Sequence, residues 1–157
     1  MAGLIFALGT TAGQALTATT DRPILQIIAP ANRTVKLKEW SVWFDAVLSS
    51  EAPATCQVCR MTTSTGLTMT TASAFGQVIR YGSTALAMGT IGLYFGTASS
   101  DPVSSGILAR RQVHKQVGYH EKFALDEEIL VKNALSIGIM VSSVTTVTCH
   151  AEMVLEE

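Results

Sequence analysis

Charge is scarce in this chain. Only 15% of its 157 residues are charged, against about a quarter in an average soluble domain. Eleven Lys and Arg stand against twelve Asp and Glu, a formal net charge of −1. That balance excludes the basic face needed for bulk binding to nucleic acid. With 48% hydrophobic residues, it also excludes a disordered chain, which would be charge-rich and apolar-poor. Cysteine is equally sparse: Cys56, Cys59 and Cys149 are odd in number and too few for a disulfide framework, which fits synthesis in a reducing compartment.

Signatures of catalysis are missing too. Histidine occurs three times, as His114, His120 and His150. No H-x-H is present, so a cupin-like metal centre lacks its core. There is no G-x-S-x-G elbow, phosphate-binding loop or dinucleotide fingerprint. Cys56-x-x-Cys59 lacks the second ligand pair of a structural zinc site. On a strand, residues three apart face opposite ways, so the pair reads as packed thiols. Asp126, Glu127 and Glu128 are consecutive. Adjacent strand residues cannot converge on one substrate, so they read as a solvated turn. The expectation is a protein with no enzymatic activity, no cofactor and no metal.

The length fits one domain with a core that needs no covalent staples. The apolar start, Met1 to Gly9, carries no Lys or Arg, as a signal peptide would. Residues 1–22 read as an apolar arm or a first strand, and 23–157 as a single β-sandwich domain. Residues 61–100 carry one charge, Arg80. The flanking uncharged stretches are too rich in Ser, Thr and Gly to span a membrane, so no membrane partner is expected.

What is present is alternation. Leu135, Ile137, Ile139 and Val141 alternate with Ser136, Gly138, Met140 and Ser142. Val147, Cys149, Ala151, Met153 and Leu155 alternate with Thr146, Thr148, His150, Glu152 and Val154. The short Ser143-Val144-Thr145 link predicts a C-terminal hairpin with one buried face. In 35–44 the apolar phase slips, from Val35 and Leu37 to Trp40, Val42 and Phe44, with Trp43 opposite. That slip predicts a β-bulge near Glu39, or a strand passing from edge to centre. Further strands are expected at 24–29, 54–62, 77–81, 91–97, 106–114 and 129–132, with no sustained helical period. The fold class is therefore all-β: an antiparallel β-sandwich of jelly-roll or tumour-necrosis-factor-like topology.

So little ionised surface implies an interface. Interface cores are poor in charge and rich in aromatics, Met and Arg. Candidate contact residues are Leu4, Ile5, Phe6 and Leu8 near the start, then Phe75, Arg80, Tyr81, Met88, Tyr94 and Phe95 in the charge-poor belt, with the core as the competing destination for Tyr94 and Phe95. Arg110 and Arg111, near His114 and Lys115, either meet an acidic partner or keep an edge strand soluble. Exposed tryptophan could instead stack on sugar, with Trp40 and Trp43 on opposite faces and at least one of them core. A carbohydrate-binding module is thus the alternative function.

Three segments carry a resemblance: Ala29-Pro30-Ala31-Asn32-Arg33-Thr34-Val35-Lys36-Leu37-Lys38-Glu39-Trp40-Ser41-Val42, then Val113-His114 through Gly118-Tyr119-His120-Glu121-Lys122-Phe123, and the ending Ala151-Glu152-Met153-Val154-Leu155-Glu156-Glu157. Together they resemble small β-sandwich head decoration or cement proteins of tailed bacteriophages. The resemblance covers 24–157 in outline and leaves the first twenty residues and 61–100 unmatched. It implies a virion structural protein on the capsid exterior, made in the host cytoplasm. Its implied partners are the major capsid protein and copies of itself, a homotrimer by analogy.

Overall fold

The computed structural model describes residues 5–10, 13–16, 18, 20–29, 34–45, 52–61, 78–81, 91–93, 104–132 and 135–156. Among these it places twelve strands: β1 (Ile5–Gly9), β2 (Gln14–Leu16), β3 (Arg22–Ile28), β4 (Thr34–Asp45), β5 (Ala54–Met61), β6 (Val78–Tyr81), β7 (Ile91–Leu93), β8 (Ser104–Val113), β9 (Tyr119–Lys122), β10 (Ile129–Lys132), β11 (Ser136–Ser142) and β12 (Val147–Glu156). Among the described residues no helix is long and apolar enough to cross a membrane.

The strands form two antiparallel sheets. The first runs β10-β4-β12-β1-β6, with β9 beside β4 and β2 beside β12 as continuations of the flanking strands; the second runs β7-β3-β11-β5-β8. The pairings nest. β1 lies against β12, β3 against β11, β4 against β9 and β10, and β5 against β8. First pairs with last, and β5 pairs with β8, as when a long double ribbon is wound into two layers. The strands β6 and β7, between β5 and β8 in sequence, extend one edge of each sheet.

The layers enclose one main core. Leu8, Leu37, Trp40 and Val42 from the first sheet meet Leu25, Ile27, Val58, Ile137 and Ile139 from the second, all at most 2% exposed. Each such aliphatic side chain contributes about 1.5–3 kcal/mol by leaving water. Alternation on β12 decides its orientation: Val147, Cys149, Ala151, Met153 and Leu155 face this core, as expected.

Of the two readings of the start, arm or first strand, the described residues Ile5–Gly9 take the second. Strand β1 pairs with β12 through Ile5↔Glu156 to Gly9↔Glu152, and β2 with β12 through Val147↔Leu16 to Cys149↔Gln14. Leu8 and Leu16 are fully buried. Leu8 therefore has no surface to offer a neighbouring molecule.

The expected C-terminal hairpin is corrected. β11 and β12 do not pair, because they belong to different sheets. The link at 143–146 carries the chain across the core from one layer to the other. Ser143 Oγ donates to the Thr145 carbonyl at 2.7 Å and accepts its amide at 3.2 Å, closing the corner locally. A short connection fits a hairpin or a crossing equally well; the difference lies in which neighbours the two strands find.

Nor does β11 bury only one face. Residues 136–141 are all buried. Ile137, Ile139 and Val141 face the main core. On the other face Met140 joins Cys59 and Met61 in a second apolar cluster. Gln26, Gln57 and Ser136 are buried as well, and Gln26 Nε2 donates to Ser136 Oγ at 2.5 Å. Leu135, assigned to the buried set by alternation, is instead 50% exposed, since it precedes the strand. Gly138 is what lets β11 sit between its neighbours. A Cβ there would lie 2.5 Å from the Leu25 carbonyl oxygen and 2.5 Å from Met61 Sδ and Cε. Replacement Gly138→Ala is expected to lower the free energy of unfolding by about 1–3 kcal/mol, as overpacking does, measured by chemical denaturation. An unchanged midpoint would show that β3 and Met61 yield freely.

Candidate interaction surface

The expected irregularity in β4 is present, at Lys38. Val154 pairs with Glu39 and Leu155 with Leu37, so Lys38 is the extra residue of a bulge. The same point divides β4's other neighbour. Strand β10 pairs with 34–37 and β9 with 39–42. In the gap between them the Phe123 amide donates to the Lys38 carbonyl at 2.9 Å. Lys38 Nζ reaches Glu156 at 2.8 Å and Glu128 at 3.2 Å, joining β12 to the turn before β10.

Beyond the bulge, Trp40 points inward at 1% exposure, while Trp43 is 40% exposed. Trp40 organises a bridge between the sheets. Its Nε1 donates to Glu121 Oε2 at 2.9 Å, and its ring lies 5.2 Å from that of Tyr119. Arg111, on the edge strand β8 of the other sheet, donates from Nε to Tyr119 Oη at 2.8 Å and forms an ion pair with Glu121. A tight turn makes this possible. The amides of Val117 and Gly118 both donate to the His114 carbonyl. Gly118 has φ +69°, and a Cβ would come within 2.8 Å of the Val42 carbonyl oxygen, so glycine is required on two counts. Lys115, inside the turn and 1% exposed, donates to Thr145 Oγ1 at 2.5 Å and ties the turn to the 143–146 crossing.

The turn reverses the chain. Counting outward from it, the Arg111–Glu121 bridge is followed on both arms by exposed apolar side chains: Ile107 (48%) and Leu108 (38%) on β8, Leu125 (80%) in the turn after β9, and Leu130 (47%) on β10. Both arms are edges of their sheets. Four apolar side chains thus stand exposed on the edge strands and the turn beside them, interspersed with exposed Arg110, Lys122, Asp126, Glu127 and Lys132.

The outer face of the first sheet differs. Opposed residues share a face, and the register sets out its rows: Trp43 with His150, then Ser41 with Glu152 and His120, then Glu39 with Val154 and Lys122. The Trp43 and His150 rings are stacked, with centroids 5.4 Å apart and planes within 1°, and His150 Nε2 lies 2.8 Å from Asp45 Oδ2. Glu39 accepts from Lys122 at 3.1 Å and lies 3.4 Å from His120 Nε2. A cleft of about 110 Å³ opens among Glu39, Trp40, Ser41, His120, Glu152 and Val154.

Of the candidates named from sequence, Leu4, Phe75, Met88, Tyr94 and Phe95 lie outside the described residues. Ile5 is partly buried on β1, and the backbone of Phe6 pairs with Leu155 and Ile79. Arg80 and Tyr81 lie on β6, where Tyr81 pairs with Ile5. Arg110 is exposed on β8, 3.4 Å from Gln57 Oε1. Arg111 is engaged by Glu121 and Tyr119, so the basic cluster blunts and braces an edge instead of forming a free patch. These exposed apolar side chains went unnoticed in the sequence because they come from three separate segments. Cys56 faces the main core and Cys59 the second cluster, the opposite orientations expected. Burial pushes the Cys56 thiol up to about 12 and raises that of Cys149 as well. Among the described residues no group of three or more His, Cys, Asp or Glu is placed to hold a metal ion. Comparison with known proteins found no matching family model, no similar curated protein and no similar solved structure.

Two measurements probe the bridge and the bulge. Glu121→Ala leaves Trp40 Nε1 without its acceptor and is expected to cost about 1–3 kcal/mol; exposed Lys122→Ala should cost far less, by the same denaturation assay. Desolvation works to raise both Glu39 and Glu128, yet both lie below the ordinary carboxylate value of 4.5, because hydrogen bonds from Lys122 and His120, and from Lys38 and the backbone, outweigh it. A depressed folded-state pKa stabilises above the unfolded value and is lost as pH falls through the folded one. Stability should therefore decline below about pH 4.5, and less steeply in Lys38→Met. Equal slopes in thermal melts of the two proteins would contradict this.

Proposed function

We propose that this protein is a non-enzymatic virion structural protein, a decoration or cement protein that binds the outside of a tailed-phage capsid at junctions between major capsid subunits and stabilises the shell. The observation that carries this reading is the exposure of large apolar side chains on the edge strands and the turn beside them, Ile107, Leu108, Leu125 and Leu130. Lasting contacts are more hydrophobic than transient ones and bury about 1,000 Å² or more. The nested strand pairing, read here as a jelly roll, supports the same conclusion, as does the likeness of 29–42, 113–123 and 151–157 to such proteins. All three segments meet at one place: Trp40 on β4 is bonded to Glu121 on β9, and Met153 on β12 pairs with Trp40. The resembling residues are thus those that brace the edge.

On this reading the partners are the major capsid protein and further copies of the chain, with a trimer by analogy to tumour-necrosis-factor-like sandwiches. Many copies on one lattice add up, so modest affinity per site stiffens a shell. The test is to mix purified protein with expanded, undecorated heads of the phage that encodes it and sediment them. The protein is expected to co-sediment to saturation, and a variant combining Ile107→Ser, Leu108→Ser and Leu130→Ser to remain in the supernatant. Absence of wild-type protein from the pellet at every ratio would reject the proposal.

A further inference from the structure

We infer that the outer face of the first sheet is a binding site for a neutral oligosaccharide, with Trp43 as the stacking platform and the adjacent cleft as the hydrogen-bonding pocket. The site is independent of the capsid-binding reading. Leu130 pairs with Lys36, seven residues along β4 from Trp43, which is about 23 Å at 3.3 Å per residue.

The platform is built and held. Trp43 is 40% exposed on the face of a sheet, where an indole presents a flat apolar surface with a polar edge. His150 stacks on it and is itself held by Asp45, and at its base the Gly118 turn packs so closely that a Cβ built on that glycine would lie 3.3 Å from Trp43 Cβ. A ring already immobilised loses little conformational freedom when a ligand settles on it. The C–H face of a pyranose is the complement of such a surface.

The polar half lies in the next row. Ser41, two residues from Trp43 on the same face, sits about 6.6 Å further along the strand. Around it stand Glu152 and His120, its partners in register, and Glu39 beyond them. A carboxylate offers about four acceptor positions, so Glu39 keeps capacity beyond its bonds to Lys122 and His120. Carboxylate, hydroxyl and imidazole side by side match the alternating donors and acceptors of vicinal sugar hydroxyls. The cleft of about 110 Å³ admits part of a sugar ring and leaves the rest on the surface, as a site reading an extended chain requires.

Charge selects among glycans. Around Trp43 and the cleft, this face carries three carboxylates, Glu39, Asp45 and Glu152, against one ammonium, that of Lys122, while Lys36 and Lys132 lie at its far end. A uronate or sulfated chain would meet repulsion, so the ligand is neutral.

The test is native affinity electrophoresis through gels cast with hydroxyethylcellulose, dextran, mannan or arabinogalactan, with polygalacturonate as the acidic comparison. At least one neutral polymer is expected to retard the protein and polygalacturonate to leave it unretarded. Titration with the retarding polymer should shift the emission of Trp43 while buried Trp40 stays silent. Trp43→Ala and Glu152→Gln should each weaken binding by about tenfold or more, with wild-type denaturation midpoints, and Leu125→Ser should bind as wild type. Wild-type mobility in every neutral polymer, equal binding by Trp43→Ala, or equal retardation by polygalacturonate would overturn the inference. Trp43→Ala keeps the exposed apolar side chains of 107–130, so its co-sedimentation with heads should match wild type, and either reading can fail alone.

Discussion

One extra residue in one strand sets the arrangement of everything else. Had β4 kept the phase of Val35 and Leu37, then Glu39, Ser41 and Trp43 would point into the core, and Trp40 and Val42 would point to solvent. The bulge at Lys38 reverses this. It puts Trp40 inside, next to Tyr119 and Glu121, and lifts a row of polar groups with Trp43 onto the outer face. It also frees a carbonyl for Phe123 and aims an ammonium at Glu128 and Glu156. The edge bridge and the outer shelf are two consequences of the same slip.

The shortage of charge has more than one destination. Part of the apolar surplus goes into the second sheet, whose central strand is buried on both faces. A strand in that position reads as a near-continuous apolar run, which is what Ser136 to Val141 is. Part of the remainder stays exposed on the edge strands and the turn beside them, as Ile107, Leu108, Leu125 and Leu130, and part elsewhere, as Trp43, Val117, Leu135 and Val144. The few charges are spent on joints: Lys38 between β12 and the turn before β10, Arg111 between the two sheets. Most solvent-exposed ion pairs contribute little stability. The Arg111–Glu121 pair differs because it shares its carboxylate with the indole of a fully buried tryptophan.

Much of the fold is legible from local pattern. Period-two alternation located β3, β4, β5, β8, β10, β11 and β12 to within a few residues, and the phase slip located the bulge. The opposed faces of Trp40 and Trp43, and of Cys56 and Cys59, follow from the pleat alone. Short strands such as β2 and β9 escape, since three or four residues such as Gln14-Ala15-Leu16 hold too little alternation to stand out. Of the site, the single residues Trp43, His150 and Arg110 could be noticed. Their neighbours could not, because Glu39, His120 and Glu152 come together only through the register of three strands.

The sequence by itself determined that the chain is all strand, where β4 breaks phase and which side chains leave water, because these depend on a residue and its nearest neighbours. Only the tertiary structure decided that β11 and β12 part into different layers, that β1 lies between β12 and β6, and that the exposed apolar side chains of 107–130 fall on edge strands and the turn beside them. Those outcomes rest on which strands pair. Pairing is settled between residues far apart in the chain, where hydrogen-bonding backbones are alike and only the fit of whole faces tells one partner from another.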